Sequence, residues 1–463
     1  MVFSSMVFLC VFLPVVFGLH LILPGMRAKN MLLIVASLAF YAYGEPVYII
    51  VLILSVFGNY LFARLMESVN HKKWMMTAAV ILNIGILIFF KYLGFLTESL
   101  NIFTGLKVSV PTVKMPIGIS FFTFQALSYV IDVYRGTVQA QKNFGKVLLY
   151  ISYFPQLIAG PIVKYHDVEL EINSREQTPE EVSKGIRMFV AGLSKKVLIA
   201  NTMGSVADSM FQATAVQLSG AGAWLGAVSY MLQIYFDFSG YSDMALGLGK
   251  MFGFHFKENF DYPYISSSIR EFWRRWHISL SGWFREYLYI PLGGNRKGRF
   301  RTIINKMIVF LVTGIWHGAS WNFLFWGAYH GVFLMLEEYI PAIGKKGNRV
   351  KAVFQHIYVL LVVCIGFVFF RADTMTQGYF FVKKMFMGFS MNASALSLVM
   401  QQLTPVYILT FVCALIAVTP IHKFMRRNQI YRKMTYVFSL VGILACILNL
   451  ASGTYNPFIY FRF

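Results

Sequence analysis

A series of apolar runs recurs from one end of this chain to the other, and it limits the possible folds more than any other feature. The clearest are FSSMVFLCVFLPVVFGLHLIL (3–23), PVYIIVLILSVFGNYLFARLM (46–66), WMMTAAVILNIGILIFF (74–90), HIYVLLVVCIGFVFF (356–370), PVYILTFVCALIAVT (405–419) and YVFSLVGILACILNL (436–450). A helix needs ~20 apolar residues to cross a bilayer's hydrocarbon core, where it must satisfy its own backbone. With shorter and interrupted runs included, hydropathy predicts roughly 11 to 13 membrane segments. Only 13% of the residues are charged, against about 25% in a soluble domain. The chain reads as an all-α polytopic membrane protein. Its first run lacks a basic n-region and a small-residue cleavage site, which predicts a retained helix rather than a signal peptide. Cys10, Cys364, Cys413 and Cys446 all lie in apolar runs without short spacing and read as small buried hydrophobes.

The net charge of +21 raises nucleic acid as a partner. In a membrane protein it is better explained by basic cytoplasmic loops facing anionic lipid, so no nucleic acid is expected. Arg27 and Lys29 follow the first run and His71-Lys72-Lys73 the third, while Gly44-Glu45 and 94–114 are poor in base. This alternation predicts the N-terminus outside and residues 67–73 inside. KKGNRVK (345–351) and RRNQIYRK (426–433) mark further cytoplasmic loops, which leaves the C-terminal NPFIYFRF outside.

No linker, low-complexity tract or internal repeat divides residues 1–463, which predicts a single membrane domain. One polar interruption, KYHDVELEINSREQTPEEVSKG (164–185), carries Thr178-Pro179-Glu180-Glu181. A cap residue, a proline at the first helical position and a glutamate three on from the cap predict a helix start there. That helix should run through IRMFVAGLSKKVLIA with Lys195 and Lys196 on a polar face, as an interfacial helix. In 266–301, Arg270, Arg274, Arg275, Arg285 and Arg296 alternate with Trp273, Trp276, Trp283 and Tyr287. Such a segment is too charged to span lipid and suits helices at the cytoplasmic headgroup layer. His277 falls where one of them turns its apolar side inward.

The run TGIWHGASWNFLFWGAYHG (313–331) puts two histidines at membrane depth. Ionisable residues there are costly and face a cavity or a partner. On a continuous helix His317 shares a face with Thr313, Ser320, Trp321 and Leu324, and Gly314 and Gly318 permit close approach. Two roles fit: a packed ring satisfied by a carbonyl, or a general base, for which neutral imidazole is the working form. His330 would lie on nearly the opposite face, with Trp326 and Glu337 at helical spacing, which predicts a structural or interfacial role. In YFDFSGYSDMALGLGKMFGFHF (235–256), Asp237 and Asp243 stand beside Ser239, Tyr241 and Ser242. The expected partners of these carboxylates are arginines of 266–301, or the start of a helix over MALGLGKMF. No His or Cys stands at ligand spacing, so no metal site is expected. GLGKMFG matches neither phosphate-binding glycine motif, which excludes nucleotide binding.

Six blocks in order resemble the membrane-bound O-acyltransferase superfamily. They are MPIGISFFTFQALSYVIDVYRG (115–136), YFPQLIAGPIVKY (153–165), FDFSGYSDMALGLGKMFGF (236–254), EFWRRWHISLSGWFREYLYIPLGGN (271–295), TGIWHGASWNFLFWG (313–327) and the terminal FIYFRF (458–463). The resemblance covers nearly the whole chain. It is strongest to the bacterial branch typified by the alginate O-acetyltransferase membrane subunit; the D-alanyl transfer protein of teichoic acids is more distant. It implies a ring of tilted helices around a central tunnel open to both sides of the membrane, with 303–341 as the catalytic helices. The family's catalytic histidine falls on His317, and the branch's second functional histidine falls on His277, where eukaryotic relatives carry asparagine or aspartate. The expected substrate-binding residues in these blocks are Trp276, Trp316, Trp321, Asn322, Tyr241, Asp243, Arg274 and Arg275.

The resemblance further implies a cytoplasmic thioester donor, acetyl-CoA or another acyl thioester, and no permanently bound cofactor. The acceptor would be a hydroxyl of an extracytoplasmic polysaccharide or of a relay protein, with an acetyltransferase- or esterase-like partner outside the inner (cytoplasmic) membrane. Two other readings remain open at this point. A D-alanyl transferase would draw on a carrier-protein thioester. A transporter or flippase would also use intramembrane histidine and aspartate, but no inverted repeat supports it.

Overall fold

A computed structural model describes residues 1–340, 348–425, 428–453 and 455–457. Every regular element among them is helical, with no strand, as the apolar periodicity requires. The terminal FIYFRF block lies outside the described residues, as do parts of the basic stretches 345–351 and 426–433.

Among the described residues four helices are long and apolar enough to cross a membrane: Ile49–Ser68, Lys72–Thr104, Arg349–Arg371 and Gln429–Ala451. Ala393–Gln402 and Pro405–Ala417, bent by 65°, make a fifth if they count as one span. Other apolar runs form shorter or interrupted helices. The first run is helical over Phe8–Phe12 and Leu13–Ile22 and stops before Pro24, after which Gly25–Gly44 begins. Proline has no N–H to continue the ladder. Large apolar side chains such as Leu54, Ile81 and Val437 point outward from these helices, which suits lipid as solvent. Cys364 and Cys446 are buried as expected, but Cys10 and Cys413 are exposed. On an apolar helix, a thiol can face lipid as readily as a protein core.

The described residues form two compact units, 1–189 with 242–258 and 190–241 with 259–463. In the first, buried Asn59 and Asn83 tie Ile49–Ser68 to Lys72–Leu87, each amide donating to the other's oxygen at 3.2 and 2.7 Å. Such reciprocal amides hold apolar helices together because neither is left unsatisfied. The polar interruption folds as Tyr165–Asn173 and Pro179–Ser194. The second of these starts where the capping motif predicts, with the Glu181 N–H donating to Thr178 Oγ1 at 3.3 Å.

In the second unit the expected polar face fails at Lys196, which is buried and pairs with Asp237 at 2.8 Å. A buried carboxylate and a buried ammonium neutralise each other, so the partner of Asp237 comes from the lysine pair rather than from the expected arginine segment. Asp243 caps no helix start either, because the helix Gly220–Met251 runs unbroken through it. Segment 266–301 does separate its two residue types. Arg270, Arg274, Arg285 and Arg296 are exposed, while Trp276, Trp283 and Tyr287 are buried.

Candidate active site

His277 follows the short helix Ile269–Arg275, whose beginning is unusually well satisfied. Ser268 Oγ accepts the Glu271 N–H at 3.0 Å, and Glu271 accepts the N–H and hydroxyl of Ser267. This cap satisfies the orphan N–H of Glu271 and ties the chain just before the helix to it. The two N–H groups before it, those of Ile269 and Arg270, reach the carboxylate of Glu337 at 2.5 and 3.0 Å. Glu337 therefore anchors the segment that carries His277.

At the other end His277 takes a left-handed conformation, φ 46 and ψ 55. For a residue with a Cβ this costs ~1–3 kcal/mol and persists only where neighbours enforce it. The enforcing contacts are backbone pairings with 259–261. Ile278 N–H donates to Asn259 O and Asp261 N–H to Arg275 O, both at 2.9 Å. The Arg275 guanidinium also bonds Asp261 Oδ2 and Glu271 Oε1, at 3.1 and 3.0 Å. The result is a ring 1% exposed, set edge-on to Phe238 at 4.6 Å.

His317 is the last residue of Gly298–His317, and Trp321–Tyr339 returns beside it. The sequence expectation of one continuous face through Ser320, Trp321 and Leu324 is wrong here. The helix stops at Gly318, which is extended, and a Cβ on Gly318 would run into the Phe323 ring. The two helices cross backbone to backbone, and a Cβ on either Gly314 or Gly327 would lie 3.2 Å from the other's Cα. This break also changes the position of His330. It lies one tryptophan away from His317, since Trp326 contacts the two rings at 5.2 and 5.0 Å. His330 is fully buried among Trp273, Trp326 and Tyr329.

The ring centroids of His277 and His317 are 6.5 Å apart. Trp316 contacts both, at 6.1 and 5.0 Å, and Phe370 closes on His317 at 5.3 Å. Of the other expected residues, Trp276 is buried and packs on Phe260 and Phe367. Tyr241 is buried too, near the end of this unit's part of its helix. Asn322 is buried and donates to Ala372 O at 2.6 Å, which joins the hairpin to the end of Arg349–Arg371. Trp321 and Arg274 are exposed, and Arg275 is engaged by Asp261 and Glu271. Asp243 belongs to the first unit and is half-buried. Nothing along the chain pointed to Asn259, Phe238 or Phe370 as neighbours of the histidines. Among the described residues no group of three His, Cys, Asp or Glu side chains could hold a metal.

Comparison with known proteins gives this site its context. Residues 138–372 match the membrane-bound O-acyltransferase family, a stretch that includes both histidines. The chain is 41% identical to the probable alginate O-acetylase of Pseudomonas putida, with 100% of each chain covered. It is 34% identical to the peptidoglycan O-acetyltransferase of Helicobacter pylori, over 83% of this chain and 80% of that protein. The teichoic acid D-alanyltransferase of Bacillus subtilis is 28% identical over 55% of this chain and 68% of its own. A family match over half the chain, with end-to-end similarity to an acetylase, is decisive: the protein belongs to the membrane-bound O-acyltransferase family and is an O-acyltransferase.

Proposed function

We propose that this protein moves an acetyl group from a cytoplasmic thioester, acetyl-CoA, to a hydroxyl of an extracytoplasmic polysaccharide or of a partner that relays the group. The observation that carries the reading is the pair of buried imidazoles, far apart in sequence, held 6.5 Å between centroids with Trp316 against both. In this reading His317 takes the proton as the acceptor oxygen attacks the thioester carbonyl. The C–S bond breaks, and the proton passes on to the departing thiolate. His277 orients the reacting groups or stabilises developing charge. The acyl group arrives already activated, so no resident cofactor is required.

The same proposal includes the setting: one domain in the inner membrane, N-terminus outside, with roughly 11 to 13 tilted segments around a passage reached from both faces. The exposed arginines of 266–301, Arg274 among them, would draw a polyanionic donor to the cytoplasmic mouth. Trp321, Asn322, Tyr241, Asp243 and Trp276 remain proposed substrate contacts. An acetylesterase-like partner outside the membrane would complete the route to the polymer. Acetyl transfer is favoured over D-alanyl transfer because similarity to the acetylase covers all of this chain and similarity to the D-alanyltransferase covers 55%.

The test is to purify His317→Ala and His277→Ala, confirm folding, and measure acetyl transfer and thioester hydrolysis. Loss of a general base lowers the rate by about 10²–10⁴-fold. Full activity in His317→Ala would remove the proposal.

A further inference from the structure

Asn259, which no part of the mechanism above uses, meets the catalytic segment at several points. Its side-chain oxygen lies 3.2 Å from His277 Nδ1, 3.1 Å from the Ser279 backbone nitrogen and 2.9 Å from Ser279 Oγ. Its main-chain oxygen accepts the Ile278 N–H at 2.9 Å. An amide side chain can be turned end for end, so the identity of the atom facing His277 needs a reason. Ser279 supplies it. A main-chain N–H only donates, so the atom opposite it must be the oxygen. That same oxygen faces His277, and an amide oxygen only accepts. The hydrogen between them therefore sits on Nδ1. A neutral imidazole has one N–H, which leaves Nε2 with a bare lone pair. Nε2 is buried and has no hydrogen-bond partner among the described residues, so its lone pair is not committed to another group of the protein.

We propose that Asn259 is a positioning residue that fixes His277 in the Nδ1–H tautomer, so that Nε2 serves the transfer reaction only as a hydrogen-bond acceptor. The inference rests on the transferase reading and narrows it. A bare Nε2 cannot donate to the oxygen of the attacked carbonyl. Instead it orients the acceptor by receiving a hydrogen bond from it, while His317 takes the proton of the reacting hydroxyl. The bonds to Ile278 N–H and Ser279 N–H serve the same end, because they hold the two residues after the left-handed His277.

The experiment is solid-state nitrogen NMR of the full-length protein in lipid, with labelled histidine and the His277 resonances identified by their loss in His277→Gln. Wild type should show Nδ1 protonated and Nε2 bare. Asn259→Leu should lose this preference and lower kcat roughly 10- to 100-fold at unchanged KM for the thioester, as removal of a histidine's orienting partner does elsewhere. Asn259→Asp keeps an accepting oxygen opposite Nδ1 and should restore the tautomer and most of kcat. Nε2–H in the wild-type spectrum would overturn the inference, as would an Asn259→Leu protein with wild-type tautomer and kcat. If Asn259→Leu does not fold, the wild-type spectrum alone still decides. The spectrum does not depend on acetyl transfer, so failure here and failure of the transferase reading are separable.

Discussion

Lys196 and Asp237 form an ion pair of 2.8 Å between side chains only 3% and 2% exposed. Lys196 also donates to Asn201 Oδ1 at 2.8 Å and to the Pro457 carbonyl, so one buried ammonium joins two helices to the C-terminal segment. Removing one member strands the other charge in a low-dielectric interior. Asp237→Ala should therefore lose about 3–5 kcal/mol of stability, whereas the double variant Lys196→Met, Asp237→Leu should lose far less. Thermal unfolding of detergent-purified protein measures both. Equal losses in the single and double variants would contradict the pairing.

Glu337 is expected to affect catalysis from a distance. Its carboxylate accepts the N–H groups of Ile269 and Arg270, 68 and 67 positions away in sequence. Glu337→Ala leaves these donors unmet at a cost of about 1–3 kcal/mol each and loosens the helix leading to His277. We expect a lower melting temperature together with a lower kcat. Glu337→Gln retains one accepting oxygen and should fall between. A stable Glu337→Ala with normal kcat would show that the anchor does not matter.

Glycine substitutions distinguish close approach from mere flexibility. Alanine at Gly314 or Gly327 places a Cβ against the opposing backbone, and overpacking of this kind costs ~1–3 kcal/mol or more. Gly282 sits in the helix Ile278–Phe284, where an added methyl would meet nothing within 4 Å. Gly282→Ala should be neutral, or stabilise by about 0.4–1 kcal/mol through the unfolded chain. Melting temperatures of Gly314→Ala and Gly327→Ala should therefore lie below wild type, and that of Gly282→Ala at or above it.

Acid sensitivity is expected in the helix Pro179–Ser194. The Lys250 ammonium, 2.6 Å from Glu181 Oε2, holds that carboxyl below its usual range against a smaller opposing effect of burial. A group whose folded pKa is depressed contributes stability above its unfolded value, near 4.5, and that contribution disappears as the pH falls through the folded value. Unfolding midpoints between neutral and acidic pH should therefore decline less steeply in Glu181→Gln than in wild type. Identical slopes would mean that the carboxylate contributes nothing.

His317 was legible as a candidate because an ionisable ring in an apolar run stands out chemically. The break beside it was not. Glycine, alanine and serine at 318–320 are all compatible with a helix in lipid, and only the fold shows the chain extended at Gly318, with the Phe323 ring packed where a larger residue would put its Cβ. For that reason helical periodicity places His330 too far from His317. Periodicity likewise puts Lys196 on a polar face, but the carboxylate that draws it inward lies on another helix.

Apolar run length, capping residues and the ordered family blocks are local properties of the chain, and from them the sequence by itself determined a helical membrane acyltransferase and singled out His277 and His317 as candidate site residues. Only the tertiary structure decided what those rings can do. Asn259 lies 18 positions from His277, and its single oxygen selects the ring's tautomer only after the loop has folded back. Hydrogen-bond direction depends on which atoms meet in space, and no pattern along the chain specifies that meeting.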